Sequence, residues 1–314
     1  MIIAITGGTG FIGKHLIARH VARGDQVRYL TRSKAPQDVH GAIAHIGNLN
    51  SSIEELRKFV SGADVLYHCA AELRNEAEMH NTNVVGTANL LAAANGETGR
   101  WVQLSSTGVY GSGLHGDIRE DAEIKPVNAY EKSKAASDTL VCVAAEKQSL
   151  PCVVLRPSNV YGTDMPNQSL FQLIRMIDRG MFFFIGKRDA VANYIHVENV
   201  VDALVLCGTA NMPGYGRAYI VSDHRTLEEL VGIIATALGK RTPQKRLPEF
   251  LVRAAVALAG SIPKFPLKSS RVDALTNRTV YRTDRIGTEL GYRNKISVEE
   301  GIGELTRYWK NGST

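Results

Sequence analysis

The first thirteen residues, Met-Ile-Ile-Ala-Ile-Thr-Gly-Gly-Thr-Gly-Phe-Ile-Gly, constrain this chain more than any other stretch. Residues 2–5 are apolar and mostly β-branched, the pattern of a short buried strand, and the glycine-rich turn after them opens a helix. Gly7 permits the sharp turn, Gly10 keeps a Cβ out of the path of a pyrophosphate, and Gly13 lets the helix pack close to the strand. The helix N-terminus adds free N–H groups and positive potential. A second apolar strand at residues 26–31 completes a βαβ unit of about thirty residues. That context replaces the simpler reading, a glycine-rich hairpin turn, with a dinucleotide site.

The spacing Thr-Gly-x-x-Gly-x-x-Gly resembles the short-chain dehydrogenase/reductase superfamily. The resemblance implies an α/β fold, a Rossmann doubly wound parallel sheet with a small C-terminal substrate-binding lid. It also implies that Gly7, Thr9, Gly10, Phe11, Ile12 and Gly13 bind the cofactor.

At 314 residues the chain is long enough for one large α/β domain with a smaller appendage. No apolar run reaches the length that crosses a bilayer, and the N-terminus leads straight into a core strand, so a cytoplasmic protein without integral membrane contact is expected. Cys69, Cys142, Cys152 and Cys207 lie far apart, three of them in apolar stretches, and read as reduced core residues. The net charge of +6 is spread along the chain with no basic tract interleaved with aromatics, which argues against nucleic acid. No metal is expected.

At the end of the second strand an acidic residue would accept hydrogen bonds from the adenosine ribose, whereas an Arg suits a 2′-phosphate. Here Thr31 holds that place, Arg32 follows it and Lys34 is near, which favours NADP and leaves NAD open. Asn48 and Leu49 stand where the family commonly has an acid and an apolar residue against adenine. Residues 64–71 read as a buried strand ending in Ala70 and Ala71, small enough for a cofactor to lie against the backbone. His68 within it is expected to be a satisfied core residue. Asn-Val-Val-Gly-Thr-Ala-Asn-Leu-Leu at residues 83–91 resembles the start of a long helix in the extended branch of the family, after a loop shorter than in many nucleotide-sugar enzymes.

A strand at residues 101–104 runs into Ser-Ser-Thr, and a helix then carries Tyr130 and Lys134 at i and i+4, on one face. Hydride transfer at a carbinol or ketone needs a proton moved at the oxygen. A phenol titrates near 10, and a neighbouring ammonium favours its phenolate. Lys134 is expected to act in that way and to hold the nicotinamide ribose, Tyr130 to move the proton, and Ser106 to hold the substrate oxygen. Thr107 is expected beside it.

Leu-Arg-Pro-Ser-Asn-Val-Tyr-Gly at residues 155–162 resembles the family segment that packs beside the nicotinamide, with Pro157 on the cofactor and Asn159 on the substrate. The expected division is discontinuous: 1–163 and 191–222 form the NAD(P)-binding Rossmann domain, 164–190 and 223–314 the lid. Residues 193–203 are expected to return to the sheet, and 251–262 to form a lid helix. Family resemblance continues through Leu-Gly-Tyr at 290–292 and Glu-Glu-Gly at 299–301. The extended short-chain dehydrogenases of the NAD-dependent epimerase/dehydratase type commonly pair through two helices, implying a homodimer with a four-helix bundle from residues 84–94 and 130–145.

The resemblance implies reduction or epimerisation at a keto or hydroxyl carbon of a nucleotide-activated sugar, with Arg188 meeting the diphosphate in place of the Arg that sugar epimerases carry where Ala192 stands. An apolar ketone or sterol is the alternative substrate, drawn from the short loop after Ala71. A non-catalytic nucleotide-sensing protein is the alternative of another class, opposed by the presence of Ser106, Tyr130 and Lys134 together.

Overall fold

The computed structural model describes residues 1–33, 39–148, 150–211, 216–258 and 269–312. Five strands come early in the chain: β1 (Ile2–Thr6), β2 (Gln26–Thr31), β3 (Ile43–Ile46), β4 (Ala63–His68) and β5 (Thr98–Leu104). With Cys152–Pro157 and Arg217–Val221 they form a seven-stranded parallel sheet. Its spatial order is Arg217–Val221, Cys152–Pro157, β5, β4, β1, β2, β3. The chain travels outward from β1 to β3 and then restarts at β4 on the other side of β1. That reversal opens a crevice at the carboxyl ends of β1 and β4.

Alternation along each strand supplies both faces of the sheet. Ile3, Ile5, Val65, Tyr67 and Val102 pack in one cluster with Leu16 and Ile17 of α1 (Phe11–Ala22) and Val200 and Leu204 of helix Val197–Thr209. Ala4, Leu66, Trp101 and Val154 pack on the other side with Phe59 of α2 (Ile53–Val60), Leu90 of Gly86–Ala94 and Val141 of Ala129–Gln148. The α2 start is fixed by a capping box in which the Ser52 side chain and the Glu55 carboxylate satisfy each other's backbone N–H.

A third apolar cluster lies away from this sheet, where Leu170 and Ile174 meet Leu230, Ile234, Ile302 and Leu305. A three-stranded sheet borders it, Asn159–Tyr161 running parallel and Asp223–Thr226 antiparallel to Val191–His196. Residues 193–196 therefore do not rejoin the large sheet as expected. Asn193 is held elsewhere, donating from Nδ2 to the Thr279 carbonyl at 2.8 Å, and the following helix Val197–Thr209 is what returns to the sheet. Residues 83–91 also differ from expectation. The helix starts earlier, at Glu76, and passes through a π-helical turn at His80–Val85 that contains Asn83 before continuing to Ala94. The stretch at 251–262 is a helix over Glu249–Leu258, and 259–262 lie outside the described residues. Among the described residues no helix is long and apolar enough to cross a membrane.

Helix Val197–Thr209 reaches the sheet through Gly208, where an added Cβ would stand 2.1 Å from the Tyr67 hydroxyl oxygen. That hydroxyl is buried without a hydrogen-bond partner among the described residues. Gly208→Ala is expected to destabilise the fold by about 1–3 kcal/mol through overpacking. In a Tyr67→Phe background, which removes the oxygen, urea denaturation should show a smaller cost; strict additivity of the two changes would separate the effect from this contact.

Candidate active site

The turn after β1 is built by close backbone approach. Gly7 has φ +70, and a Cβ on it would stand 2.7 Å from the Ala70 nitrogen; one on Gly13 would stand 2.1 Å from the Gly7 carbonyl oxygen. Gly10 donates its N–H to the Gly7 carbonyl at 2.9 Å and caps α1 without any side-chain cap. The first turn of the helix thus presents its N–H groups to the crevice.

A cleft of about 1720 Å³ opens there. Thr9, Gly10, Phe11 and Ile12 line its beginning, and Arg32, Asn48 and Leu49 line the region beyond β2. Ala70, Ala71 and Pro157 border the same cleft, and so do Ser106, Tyr130, Lys134 and Asn159. Ser158 also lines it, with a buried hydroxyl that has no protein partner among the described residues. These features fit a dinucleotide: a glycine cradle that Cβ atoms would fill, a helix start without a cap, and an unpaired hydroxyl. Arg32 is exposed at the cleft, whereas Lys34 lies outside the described residues. Asn48 uses its side-chain oxygen to accept the Asn50 N–H at 2.7 Å, which leaves its amide NH₂ for other contacts.

Lys134 is almost fully buried, and its Nζ donates to the Leu104 carbonyl at 2.7 Å. Burial lowers its pKa, opposed by the nearby Asp138 carboxylate. Ser106 is extended and its Oγ accepts the Gly108 N–H at 3.1 Å, so its own proton is available to an acceptor in the cleft. Tyr130 is pushed up to about 12, first by burial and then by Asp138 and Glu131. The lowering expected from Lys134 is absent from the influences on that phenol.

Two of the expected substrate contacts lie outside the cleft. Thr107 follows the extended Ser106 and is buried, and the cleft is lined by Ser105 and Ser106 without it. Arg188 sits on an exposed turn, with Asp189 beside it at φ 66, and its carbonyl accepts from Arg278 at 3.1 Å. A further cation, Arg271, is found at a cavity. It borders a second hollow of about 290 Å³ that shares Asn159, Val160 and Asn167 with the large cleft. Apolar side chains dominate this hollow, among them Met165, Leu170, Leu173, Met176 and Phe182. Arg271 donates to the Gln172 side chain there.

Sequence reasoning missed a buried network under the floor. Ser105 donates to Asp138 Oδ2 at 2.7 Å, Arg156 Nε meets the same oxygen at 3.2 Å, and Arg156 Nη1 donates to the Tyr110 hydroxyl at 2.9 Å. Two signals were available: Asp138 stands one turn after Lys134, and Arg156 interrupts an apolar strand. His68 is held as a core residue, between Thr6 Oγ1 at 2.7 Å and Thr87 Oγ1 at 3.0 Å. Burial lowers its pKa to about 3, with Lys134 acting in the same direction.

A parallel sheet with a glycine-rich turn at its switch point, and a Ser, a Tyr and a Lys in the cleft that the turn opens, defines a dinucleotide-binding protein of the Rossmann class. Residues 3–221 match the model of the NAD dependent epimerase/dehydratase family, and the chain belongs to it. It is 30% identical over 320 residues to the 4-hydroxy-2-methyl-3-oxo-4-farnesyl-3,4-dihydroquinoline-1-oxide ketoreductase of Stigmatella aurantiaca, covering 96% of this chain and 94% of that one. It is 27% identical over 323 residues to the UDP-glucose 4-epimerase of Vibrio cholerae, covering 97% and 94%. A crystal structure of UDP-glucuronic acid 4-epimerase from Bacillus cereus in complex with NAD shares the fold, with a TM-score of 0.77 at 18% identity over all of both chains. The protein is an enzyme of the extended short-chain dehydrogenase/reductase type.

The segment that borders both cavities is tied back to α1 by charge. Asp164 pairs with Lys14 and lies 3.2 Å from His15 Nε2, while His15 Nδ1 meets Glu198 at 2.6 Å. Arg19 pairs with Glu198 and Asp202. The hydrogen bond to Glu198 is the largest influence on His15 and raises its pKa; burial opposes it and Asp164 assists. Because its folded value lies above the ordinary 6.5, the His15 contribution to stability is complete below about 6.5 and is lost as pH rises through the folded value. The Asp164 and Glu198 carboxylates are lowered, so their contributions are lost only as pH falls. NMR titration should place His15 above 6.5, and Asp164→Asn should bring its midpoint down; a midpoint indifferent to Asp164 would remove this tether.

Proposed function

We propose that the enzyme transfers hydride between a nicotinamide cofactor and an apolar ketone or the corresponding secondary alcohol, acting chiefly as a reductase. The observation that carries the reading is the Met-, Leu- and Phe-lined hollow opening beside Asn159, at the end of the cleft that holds Ser106, Tyr130 and Lys134. An apolar body is stabilised there by roughly 25 cal/mol for each Å² removed from water. The named substrates of the ketoreductase from Stigmatella aurantiaca, and of a 3-beta-hydroxysteroid dehydrogenase from Mycolicibacterium neoaurum at 23% identity, are ketones or alcohols on large apolar skeletons.

The bound cofactor supplies or accepts the hydride. Tyr130 gives the substrate oxygen its proton, Ser106 donates a hydrogen bond that holds that oxygen, and Lys134 holds the ribose beside it. The turn 7–13 and the start of α1 hold the pyrophosphate, with Asn48 and Leu49 toward adenine and Ala70, Ala71 and Pro157 along the cofactor. The substrate part comprises 164–190 and 223–314. Two copies pair through the helices that expose Val85 and Val143.

The second reading is reduction or epimerisation of a nucleotide-activated sugar. It is favoured by Arg271 at the hollow, which takes the anion-binding place expected of Arg188, and by the likeness to UDP-glucose 4-epimerase. Thermal-shift screening of the cofactor complex against sterols and long-chain ketones, beside UDP-, GDP- and dTDP-sugars, separates the two. Stabilisation by the nucleotide sugars alone reverses the choice. With the substrate so found, Tyr130→Phe should keep cofactor binding and lose 10²-fold or more in turnover, about 3 kcal/mol, while Lys134→Ala should damage both.

Arg32 at the cleft favours NADP. Calorimetry should show tighter binding of NADPH than NADH, with Arg32→Ala reducing the difference; equal affinities in the intact protein would overturn the preference.

A further inference from the structure

Helix Glu249–Leu258 is unusual in having apolar residues on both sides. Val252 and Val256 face inward, in one cluster with Ile185 and Val272. Phe250, Leu251 and Leu258 face outward and are 71%, 54% and 85% exposed, with the exposed Ala254 between them. At 3.6 residues per turn these four positions fall within an arc of roughly 100°. A helix on a water-facing surface ordinarily places polar residues there.

The surroundings are basic. Residues 240–258 contain Lys240, Arg241, Lys245, Arg246 and Arg253 against the single carboxylate Glu249. Lys240 pairs with Asp178, Arg246 with Glu228, and Arg253 with Glu249 and Asp273. Arg241 and Lys245 are exposed in the segment that leads through Leu247, itself 42% exposed, into the helix. An outward apolar stripe flanked by exposed cations matches a bilayer surface carrying anionic headgroups, in which the apolar residues sit at the acyl boundary and the cations at the phosphates.

We propose that helix Glu249–Leu258 docks the enzyme on an anionic membrane surface, from which its apolar substrate passes into the hollow beside Asn159. The two are continuous: the inward face of the helix packs on Ile185, with Phe183 and Leu275 in the same cluster, and all three line that hollow. The passage of substrate rests on the apolar-ketone reading, whereas the docking does not.

The test is co-sedimentation of the full chain, saturated with cofactor, with vesicles of phosphatidylcholine and phosphatidylglycerol in equal parts or of phosphatidylcholine alone. The protein should pellet several-fold more with the anionic vesicles, and added salt should weaken the binding. Phe250→Ser and Leu258→Ser, both on exposed positions and so expected to melt like the intact protein, should each lose most of the bound fraction; Arg241→Ala should lose part of it. Failure to pellet, or equal pelleting of the apolar variants, overturns the docking. So does a concentration-dependent dimer abolished by Phe250→Ser, which would show that a second copy covers the face. Sedimentation is read without turnover, so a failed substrate class leaves it intact. Where ketone reduction is observed, Phe250→Ser should raise KM for a vesicle-embedded ketone and leave a water-soluble short ketone unchanged.

Discussion

The rest of the site depends on how tightly the turn 7–13 is pressed between α1 and the end of β4, at distances that admit no Cβ on Gly7 or Gly13. That approach places Thr6 where one hydroxyl serves two partners. Thr6 Oγ1 accepts the Ala70 N–H at 3.2 Å and lies 2.7 Å from His68 Nδ1. The Thr87 hydroxyl donates to the Asn83 carbonyl at 2.6 Å, so toward His68 it accepts, which puts the imidazole proton on Nε2. Burial keeps the ring neutral, as this pattern requires. Asn83 then reaches Ser133 at 2.9 Å, and Ser133 donates to the Tyr130 carbonyl at 2.8 Å. A run of directed hydrogen bonds thus connects the glycine turn to the backbone of the helix that carries Tyr130 and Lys134.

A second polar network supports the same helix from below. Asp138 and Arg156 are both nearly inaccessible, and Ser105 and Tyr110 extend the pair, although Asp138 Oδ1 has no partner among the described residues. Burial raises the Asp138 pKa, while Arg156 and Lys134 hold it down. Such pairs add little net stability over apolar residues of the same volume, and removing one partner is costly. Here the arrangement has a positional consequence. It fixes one carboxylate beneath Lys134, and the Lys134 ammonium is directed by the Leu104 carbonyl, at the end of the strand that leads to Ser106.

The sheet and the cleft were legible in the sequence because their signals are local. The βαβ unit, the two alanines after β4 and the i, i+4 spacing of Tyr130 and Lys134 each lie within a few turns of chain. Residues 193–196 were misplaced because their extended, half-apolar pattern suits either sheet, and the partner that decides, the Thr279 carbonyl, is 86 residues away. The helix before Asn83 was missed because its first turns, Glu-Ala-Glu-Met-His-Asn, show no apolar period and bury only Met79, while the Asn83 side chain holds the loop before them through the Glu72 backbone. Arg188 and Thr107 were assigned by proximity in sequence to segments that do reach the cleft. Neither lines a cavity: Thr107 is buried after an extended serine, and Arg188 lies on an exposed turn. The hollow is drawn from residues 159 to 275, so no single window displayed it.

The protonation of Tyr130 follows from what surrounds it. A phenol raised to about 12 keeps its proton at neutral pH, which suits delivery of that proton to a carbonyl oxygen as the carbon gains hydride. Oxidation of an alcohol asks the same phenol to begin as phenolate. The fold supplies no help for that in this arrangement: the two carboxylates acting on Tyr130, Asp138 and Glu131, both oppose ionisation, and the Lys134 ammonium is engaged by Leu104. The lowered pKa of Lys134 itself follows from its burial, which the nearby Asp138 carboxylate opposes. Burial and the two carboxylates thus act together to keep the Tyr130 phenol protonated where the cleft passes between Ser106 and Lys134.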